Sequence, residues 1–91
     1  MEFIWDDDKA EINEARHGVS FKEARETCYD PFAVIRRDDE HSWSEQRMKL
    51  IGATKTQLLV VIYVEVVDDL MRIISARPAE KYEKKKYEKG E

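Results

Sequence analysis

A chain of 91 residues has room for one small domain with a single hydrophobic core. Hydrophobic residues make up 42% of the sequence and charged residues 40%, which excludes a disordered tail and indicates a globular protein with a densely charged surface. The formal net charge of −4 opposes nucleic-acid binding, so any such site must be a local basic surface.

The charges are distributed unevenly along the chain. Residues 1–44 carry 12 acidic and 6 basic side chains, whereas residues 45–91 carry 8 acidic and 10 basic side chains. A positive groove built from the second half of the sequence is therefore compatible with the acidic total.

The first helix is predicted from the residues at its two ends. Asp6 is suited to the N-cap position, and the helix after it extends to about His17. Gly18 suits the left-handed conformation that ends many helices. Within this segment, Ile12 and Ala15 are the apolar residues expected on the buried side.

A second N-terminal helix is predicted to begin at Phe21. Ser20 and Glu23 have the spacing of a capping box. Asp30 ends the segment, because a residue that precedes proline disfavours helical geometry. The side chains expected on the buried face of this helix are those of Phe21, Ala24 and Cys28.

After Pro31 the pattern changes to alternation and to continuous apolar runs, both of which are typical of strands. Met48 and Leu50 are expected to face the core, while Arg47 and Lys49 lie on the opposite face of their strand. The strands are expected over residues 3–5, 32–37, 46–51, 58–64 and 71–76.

A final helix is predicted after the last strand. Pro78 suits its first turn, and the helix continues through Tyr82 and Tyr87 until Gly90. The whole pattern predicts an α+β fold, in which two N-terminal helices pack on a twisted, mainly antiparallel β-sheet with a C-terminal helix at its edge. One domain is expected over residues 1–91.

Three features of the sequence favour a cytoplasmic protein. The N-terminus lacks the cationic start and long apolar segment of a secretory signal. The apolar run Leu58–Val64 is far shorter than the ~20 residues that span a bilayer, so no membrane association is expected. The single cysteine, Cys28, cannot form an internal disulfide and is expected to be a buried thiol.

Two motifs carry a resemblance to a known family. They are Arg16-His17-Gly18-Val19-Ser20-Phe21 and Arg72-Ile73-Ile74-Ser75-Ala76-Arg77. The same chain also contains, in sequence order, Trp5-Asp6, Lys9, Asn13, Glu45-Gln46-Arg47 and Tyr87-Glu88. This ordered set resembles the BrnT-type toxins over residues 3–88. Such toxins are small ribonucleases of type II toxin-antitoxin systems, and they are similar in fold to the RelE group.

Metal-free RNA cleavage requires a base near the 2′-hydroxyl, an acid near the leaving 5′-oxygen and cations around the phosphate. Guanidinium groups bind phosphate through paired donors, and imidazole exchanges protons near neutral pH. The candidate catalytic residues are therefore His17, Arg47, Arg72 and Arg77. The candidate substrate-binding residues are Lys49, Glu45 and Tyr87.

Each catalytic candidate has a structural alternative. His17 is equally suited to a helix-cap role, and Arg47 to a solvent-facing position on an alternating strand. Glu45 is placed to pair with a neighbouring arginine. Arg72 and Arg77 are five residues apart, so they point to opposite faces of a straight strand and share a face only if the chain bends.

No metal and no cofactor is predicted. His41 and Glu45 form only a weak metal-ligand pattern, and the sequence has no phosphate-binding loop, dinucleotide fingerprint, nucleophile elbow or paired-cysteine zinc motif. Trp43 and Tyr63 are candidates for stacking on bases, with positions in the core or in a partner interface as the alternative.

The resemblance also implies partners. RNA is the expected substrate, and a BrnA-type antitoxin with a ribbon-helix-helix DNA-binding part is the expected inhibitor, so that operator DNA is bound only through the antitoxin. Three departures from the family pattern leave an alternative open: the link at residues 66–71 is unusually acidic and apolar, Arg16 stands where a lysine is frequent, and the last helix has lost arginines. The alternative is a toxin-like module that binds antitoxin or RNA without cleavage.

Overall fold

The computed structural model describes residues 1–41 and 44–91, with only the backbone described for His41. Within these ranges, each helix is too short or too polar to cross a membrane. The regular elements are β1 (Glu2–Ile4), α1 (Asp7–His17), α2 (Phe21–Ala24), β2 (Val34–Arg37), β3 (Met48–Ala53), β4 (Leu58–Val67), β5 (Leu70–Pro78) and α3 (Lys81–Lys89), together with 3₁₀ segments at Arg25–Tyr29 and Asp39–His41.

The five strands form one mixed sheet in the order β1-β5-β4-β3-β2. Only β1 and β5 are parallel, and the other three neighbouring pairs are antiparallel. The α+β class and the mainly antiparallel sheet are therefore as predicted. Strand β4 is buried on both faces, because the adjacent residues Val60 and Val61 belong to different hydrophobic clusters. Helices α1 and α2 cover one face, and α3 with its Tyr87 covers part of the other.

Helix α1 has the predicted ends but not the predicted buried face. The Asp6 carboxylate accepts hydrogen bonds from the N–H groups of the first turn, and Gly18 ends the helix at φ 69°. Ile12 and Ala15, however, are exposed, and Asn13 is buried in their place. The apolar pattern was misleading because the residue that faces the sheet is polar.

The side chain of Asn13 connects α1 to β5. Its amide group donates to the carbonyl oxygens of Val19 (3.0 Å) and Ala76 (2.8 Å), and its oxygen accepts from the Ala76 N–H (3.1 Å). These three hydrogen bonds compensate for the free-energy cost of removing the amide from water.

The second predicted helix is mostly a 3₁₀ helix. Only one α-turn forms in α2 before the chain tightens, so the predicted pair of N-terminal helices is one full helix and one short helical segment. A repeat of three residues aligns Phe21 and Ala24 with Thr27, which is fully buried, while Cys28 is only half-buried. The hydroxyl of Thr27 donates to the Ala24 carbonyl, which satisfies this buried polar group locally.

Strand β5 contains a bulge that changes where its arginines point. Neighbouring residues of β4 pair with Ile73 and Ser75, so Ile74 is an extra residue in β5. The residues of β4 opposite Arg72 and Arg77 are consequently four apart, an even number. The two arginines therefore lie on the same face of the sheet, which is the arrangement expected when the strand is not straight.

The start of the last helix was predicted wrongly. Pro78 is the final residue of β5, opposite Leu59, and is not in the first turn of α3. Helix α3 follows Glu80, whose N–H donates to the Glu83 carboxylate at 2.8 Å. The end at Gly90, with φ 73°, is as predicted.

We predict that Asn13→Ala lowers the free energy of unfolding by about 3 kcal/mol, because two buried carbonyls and one buried N–H lose their partner. Urea denaturation followed by circular dichroism measures this change. Glu11→Ala, at an exposed position of the same helix, is the control and is expected to change the value by less than about 0.5 kcal/mol. Equal effects of the two substitutions would contradict the role assigned to Asn13.

Candidate functional site

Three shallow depressions lie side by side along β5. We call them the arginine groove, the Glu45 pocket and the His17 pocket. The arginine groove, about 340 Å³ in volume, is lined by Asp38, Glu40, Arg47, Lys49, Val60, Ile62, Ser75 and Arg77. The Glu45 pocket is lined by Asp6, Lys9, Glu45, Arg47, Arg72, Ile73 and Ile74. The His17 pocket is lined by Lys9, Ile12, Asn13, Arg16, His17, Ile74 and Ser75.

The three depressions are contiguous because they share residues. Arg47 lines both the arginine groove and the Glu45 pocket, Ser75 joins the arginine groove to the His17 pocket, and Lys9 joins the two smaller pockets. The structure therefore brings together His17, Arg47, Arg72, Arg77, Lys49 and Glu45 from the set of candidate residues. Tyr87 does not line these depressions.

A buried carboxylate organises the cations of the arginine groove. Glu83 of α3 is fully buried, and its two oxygens accept from both terminal nitrogens of Arg77 at 2.8 Å. The ammonium group of Lys49 lies 2.9 Å from the same carboxylate. Burial acts to raise the pKa of Glu83, but hydrogen bonds from Arg77, the Glu80 N–H and Lys49 outweigh it and lower the pKa to about 2. Glu83 is thus ionised at neutral pH.

The guanidinium group of Arg77 keeps one edge available. Glu83 occupies the end formed by Nη1 and Nη2, and Nη1 also donates to the Pro78 carbonyl. The Nε–H and the second Nη2 proton form the other edge, and within the described residues they make no hydrogen bond. The side chain is about one-third exposed, at 31%. Glu83 therefore leaves these two donors of Arg77 unused.

The Glu45 pocket contains a second charge pair. The carboxylate of Glu45 accepts from the Arg72 guanidinium, and both side chains are about one-third exposed. The pairing of Glu45 with a neighbouring arginine, foreseen as the structural alternative, is thus present. Arg47 lies between this pair and the arginine groove, and its carbonyl accepts from the Asp38 N–H at 2.8 Å.

His17 is the last residue of α1 and is half-buried in its pocket. Its imidazole makes no hydrogen bond or ion pair within the described residues, so no helix-capping hydrogen bond from this ring is present there. Only Ser75 is common to the linings of the His17 pocket and the arginine groove.

Tyr87 occupies a different environment. Its hydroxyl donates to the Asp30 carboxylate at 2.6 Å, and this hydrogen bond, followed by burial, raises the pKa of Tyr87 to about 12. Burial opposes ionisation of Asp30, but hydrogen bonds from Tyr87 and from the N–H groups of Ala53 and Phe32 lower its pKa. The pair joins α3 to the segment before β2.

The remaining sequence candidates are distributed as follows. Tyr63 is buried in the sheet, in agreement with the core alternative rather than base stacking. Trp43 and the side chain of His41 lie outside the described residues. In the part of the chain that the structure describes, no three His, Cys, Asp or Glu side chains form a cluster suited to a metal.

Sequence reasoning did not identify Glu83 as a residue of the site. The signal that was available is the spacing of Glu80 and Glu83, which have carboxylates at the N-cap and N3 positions of α3. That spacing fixes the start of the helix, but the contact of Glu83 with Arg77 and Lys49 depends on how α3 crosses the sheet.

We predict that Glu83→Gln lowers the free energy of unfolding by about 2 to 3 kcal/mol at pH 7. The pKa of Glu83 in the folded protein lies below its ordinary value of 4.5. The stabilisation by its charge is therefore complete above pH 4.5 and is lost as the pH falls towards 2. The difference between wild type and variant in urea denaturation is therefore expected to shrink to less than about half at pH 3. Glu88→Gln, at an exposed position of α3, is the control; a difference independent of pH would contradict the assignment.

Comparisons with known proteins identify the family. Residues 5–83 match the family model described as "Ribonuclease toxin, BrnT, of type II toxin-antitoxin system". The fold is similar to the 1.1 Å crystal structure of the Brucella abortus ribonuclease toxin BrnT, with a TM-score of 0.68 and 25% sequence identity over 89% of this chain and 99% of that one. The search of curated proteins gave no match. The chain belongs to the BrnT family of ribonuclease toxins of type II toxin-antitoxin systems.

Proposed function

We propose that this protein is an endoribonuclease that cleaves RNA by metal-independent acid–base chemistry. The observation that supports the proposal is the contiguity of the arginine groove, the Glu45 pocket and the His17 pocket, whose linings include His17 and four arginines, Arg16, Arg47, Arg72 and Arg77. Membership of a ribonuclease toxin family supports the same reaction. We also infer that the fold is of the RelE type and that the protein acts in the cytoplasm.

In the proposed reaction, the 2′-oxygen of RNA attacks the neighbouring phosphorus and the bond from phosphorus to the 5′-oxygen breaks. The proton of the 2′-hydroxyl leaves to a base, and another proton is delivered to the 5′-oxygen. The products are a 2′,3′-cyclic phosphate and a free 5′-hydroxyl. His17 is the residue proposed for one of these proton transfers, because imidazole takes up and releases protons near neutral pH.

The arginines are proposed to bind the reacting phosphate and to stabilise its developing charge. Arg77 offers the edge of its guanidinium that Glu83 does not occupy. Arg47 borders two depressions and is proposed to contact the same phosphate. Arg72 completes the cationic surface, with Glu45 holding its guanidinium in position.

The substrate-binding candidates have different settings. Lys49 lines the arginine groove and is proposed to contact RNA there. Glu45 acts on RNA through Arg72 in this proposal. A contact between Tyr87 and RNA stays a prediction of the family resemblance, because its hydroxyl is bound to Asp30.

The antitoxin is proposed to be of the BrnA type, with a ribbon-helix-helix part through which the complex binds operator DNA. A type II family implies a protein inhibitor, and a groove with cationic and apolar walls accommodates an acidic or amphipathic segment as well as RNA. Inhibition would then be occlusion of the groove.

A second candidate function is binding of the antitoxin without cleavage. The charge pairing in the site favours it, because Glu83 compensates Arg77 and Lys49, and Glu45 compensates Arg72. Such internal pairing reduces the positive potential that RNA experiences.

We predict that induced expression arrests growth and degrades RNA, and that Arg47→Ala or His17→Ala relieves both effects by lowering the cleavage rate about 100-fold or more. Lys22→Ala, at an exposed position of α2, is the control and is expected to remain toxic. Growth assays and cleavage by purified protein, each with and without a chelator, measure these outcomes.

Chelator is expected to leave cleavage unchanged, and loss of activity in chelator would overturn the metal-independent mechanism. Normal growth in the presence of abundant folded wild-type protein would favour the binding-only function instead.

A further inference from the structure

A second cationic groove lies between β2 and the C-terminal part of α3. We call it the β2–α3 groove; its volume is about 290 Å³. Its lining includes two buried apolar residues, Val34 and Ile51, and four cationic side chains, those of Arg36, Arg37, Lys49 and Lys86. Glu91 is the one carboxylate side chain in the lining. Lys49 lines this groove and also the arginine groove, so the two are contiguous.

The positive charge in this groove is weakly compensated. Lys49 is paired with Glu83. Within residues 1–41 and 44–91, the guanidinium of Arg36 donates only to the carbonyl of Ile35, and Lys86 forms no ion pair. Arg37 pairs with Asp39 at a largely exposed position, where an ion pair contributes little.

The cross-strand register adds an unfavourable contact. Arg36 of β2 is directly opposite Lys49 of β3, and like charges in opposite positions destabilise a sheet. The neighbouring apolar pair Val34 and Ile51 packs between the same two strands. An anionic ligand would remove the repulsion.

We propose that the β2–α3 groove binds backbone phosphates of single-stranded RNA that flank the cleavage site. This inference rests on the proposed ribonuclease function and extends it beyond the reacting phosphate. RNA held at the arginine groove passes Lys49 and enters the β2–α3 groove, where cations follow its backbone.

The chemistry of the groove favours RNA over a polypeptide. Peptide grooves anchor apolar side chains in pockets, but Val34 and Ile51 are only 5% and 4% exposed and offer little apolar surface. Among the charged side chains of the lining, four are cations and one is a carboxylate, and this excess of positive charge suits a sugar-phosphate chain.

The test compares two double variants with wild type. The groove variant combines Arg37→Ala with Lys86→Ala, and the control variant combines Lys84→Ala with Lys85→Ala, which removes two exposed lysines of the same helix that do not line the groove. None of these four residues belongs to the proposed catalytic set. Because all four side chains are exposed, both variants are expected to fold, which circular dichroism and urea denaturation establish.

The first measurement is cleavage of two single-stranded RNA substrates, one of about 20 nucleotides and one of about 4. The long RNA is expected to extend from the arginine groove into the β2–α3 groove, and the short RNA is expected to occupy the arginine groove alone. The groove variant is expected to raise KM for the long RNA about 10-fold with kcat unchanged, because phosphate contacts contribute mainly to affinity. The short RNA is expected to be cleaved at the wild-type rate. The control variant is expected to match wild type with both substrates.

The second measurement is binding of the long RNA, followed by fluorescence anisotropy at several salt concentrations, and it does not require cleavage. The slope of log affinity against log salt is expected to fall by about 0.7 for each groove cation removed. If wild type cleaves neither RNA, the ribonuclease proposal fails, while the salt slope still decides the groove proposal.

Equal RNA affinity of the groove and control variants would overturn the groove proposal. Loss of binding to a polyglutamate peptide, with RNA binding unchanged, would assign the groove to an acidic polypeptide and would also overturn it. Lys86→Gln serves as a single, milder groove variant if the double variant does not fold.

Discussion

The carboxylate of Glu83 is removed from solvent, and its charge is stable there only because two cations and a backbone N–H surround it. These contacts connect the first turn of α3 with β5 and β3 at a single point. They set where the helix lies on the sheet, and they hold the guanidinium of Arg77 and the ammonium of Lys49 at the edge of the arginine groove. The same interaction therefore stabilises the fold and orders two cations of the candidate site.

A consequence of this arrangement is that the site is partly neutralised by its own supports. Glu83 and Glu45 reduce the positive potential, but they also remove the conformational freedom of the long arginine side chains, which an unsupported site would lose on binding RNA. Because the planar guanidinium has two usable edges, Arg77 keeps donors for a ligand after it has bound Glu83. Compensation by the carboxylates weakens the positive potential of the site, whereas the ordering of the arginines favours tight contact with a phosphate. The larger of these two effects decides whether the site supports cleavage or binding alone.

Local signals were sufficient for some elements and insufficient for others. Asp6 and Gly18 fixed the ends of α1, since caps depend on hydrogen bonds within a few residues. The buried face of α1 was predicted wrongly because Asn13 is polar and is satisfied by the distant Ala76. The bulge at Ile74, which places Arg72 and Arg77 on one face, arises from pairing between β4 and β5 and leaves no mark in composition. The role of Glu83 was not visible either, because its contacts with Arg77 and Lys49 depend on how α3 crosses the sheet.

The structure shows how a cationic surface coexists with the formal net charge of −4. Acidic residues of α1 lie over one face of the sheet, whereas Arg36 and Lys49 of the β2–α3 groove lie on the other. Electrostatic screening at physiological salt acts over about 8 Å, which is short compared with the 25 Å smallest extent of the molecule. The electrostatic potential at the groove is therefore set mainly by the nearby cations, and the distribution of charge over the fold affects it more than the total does.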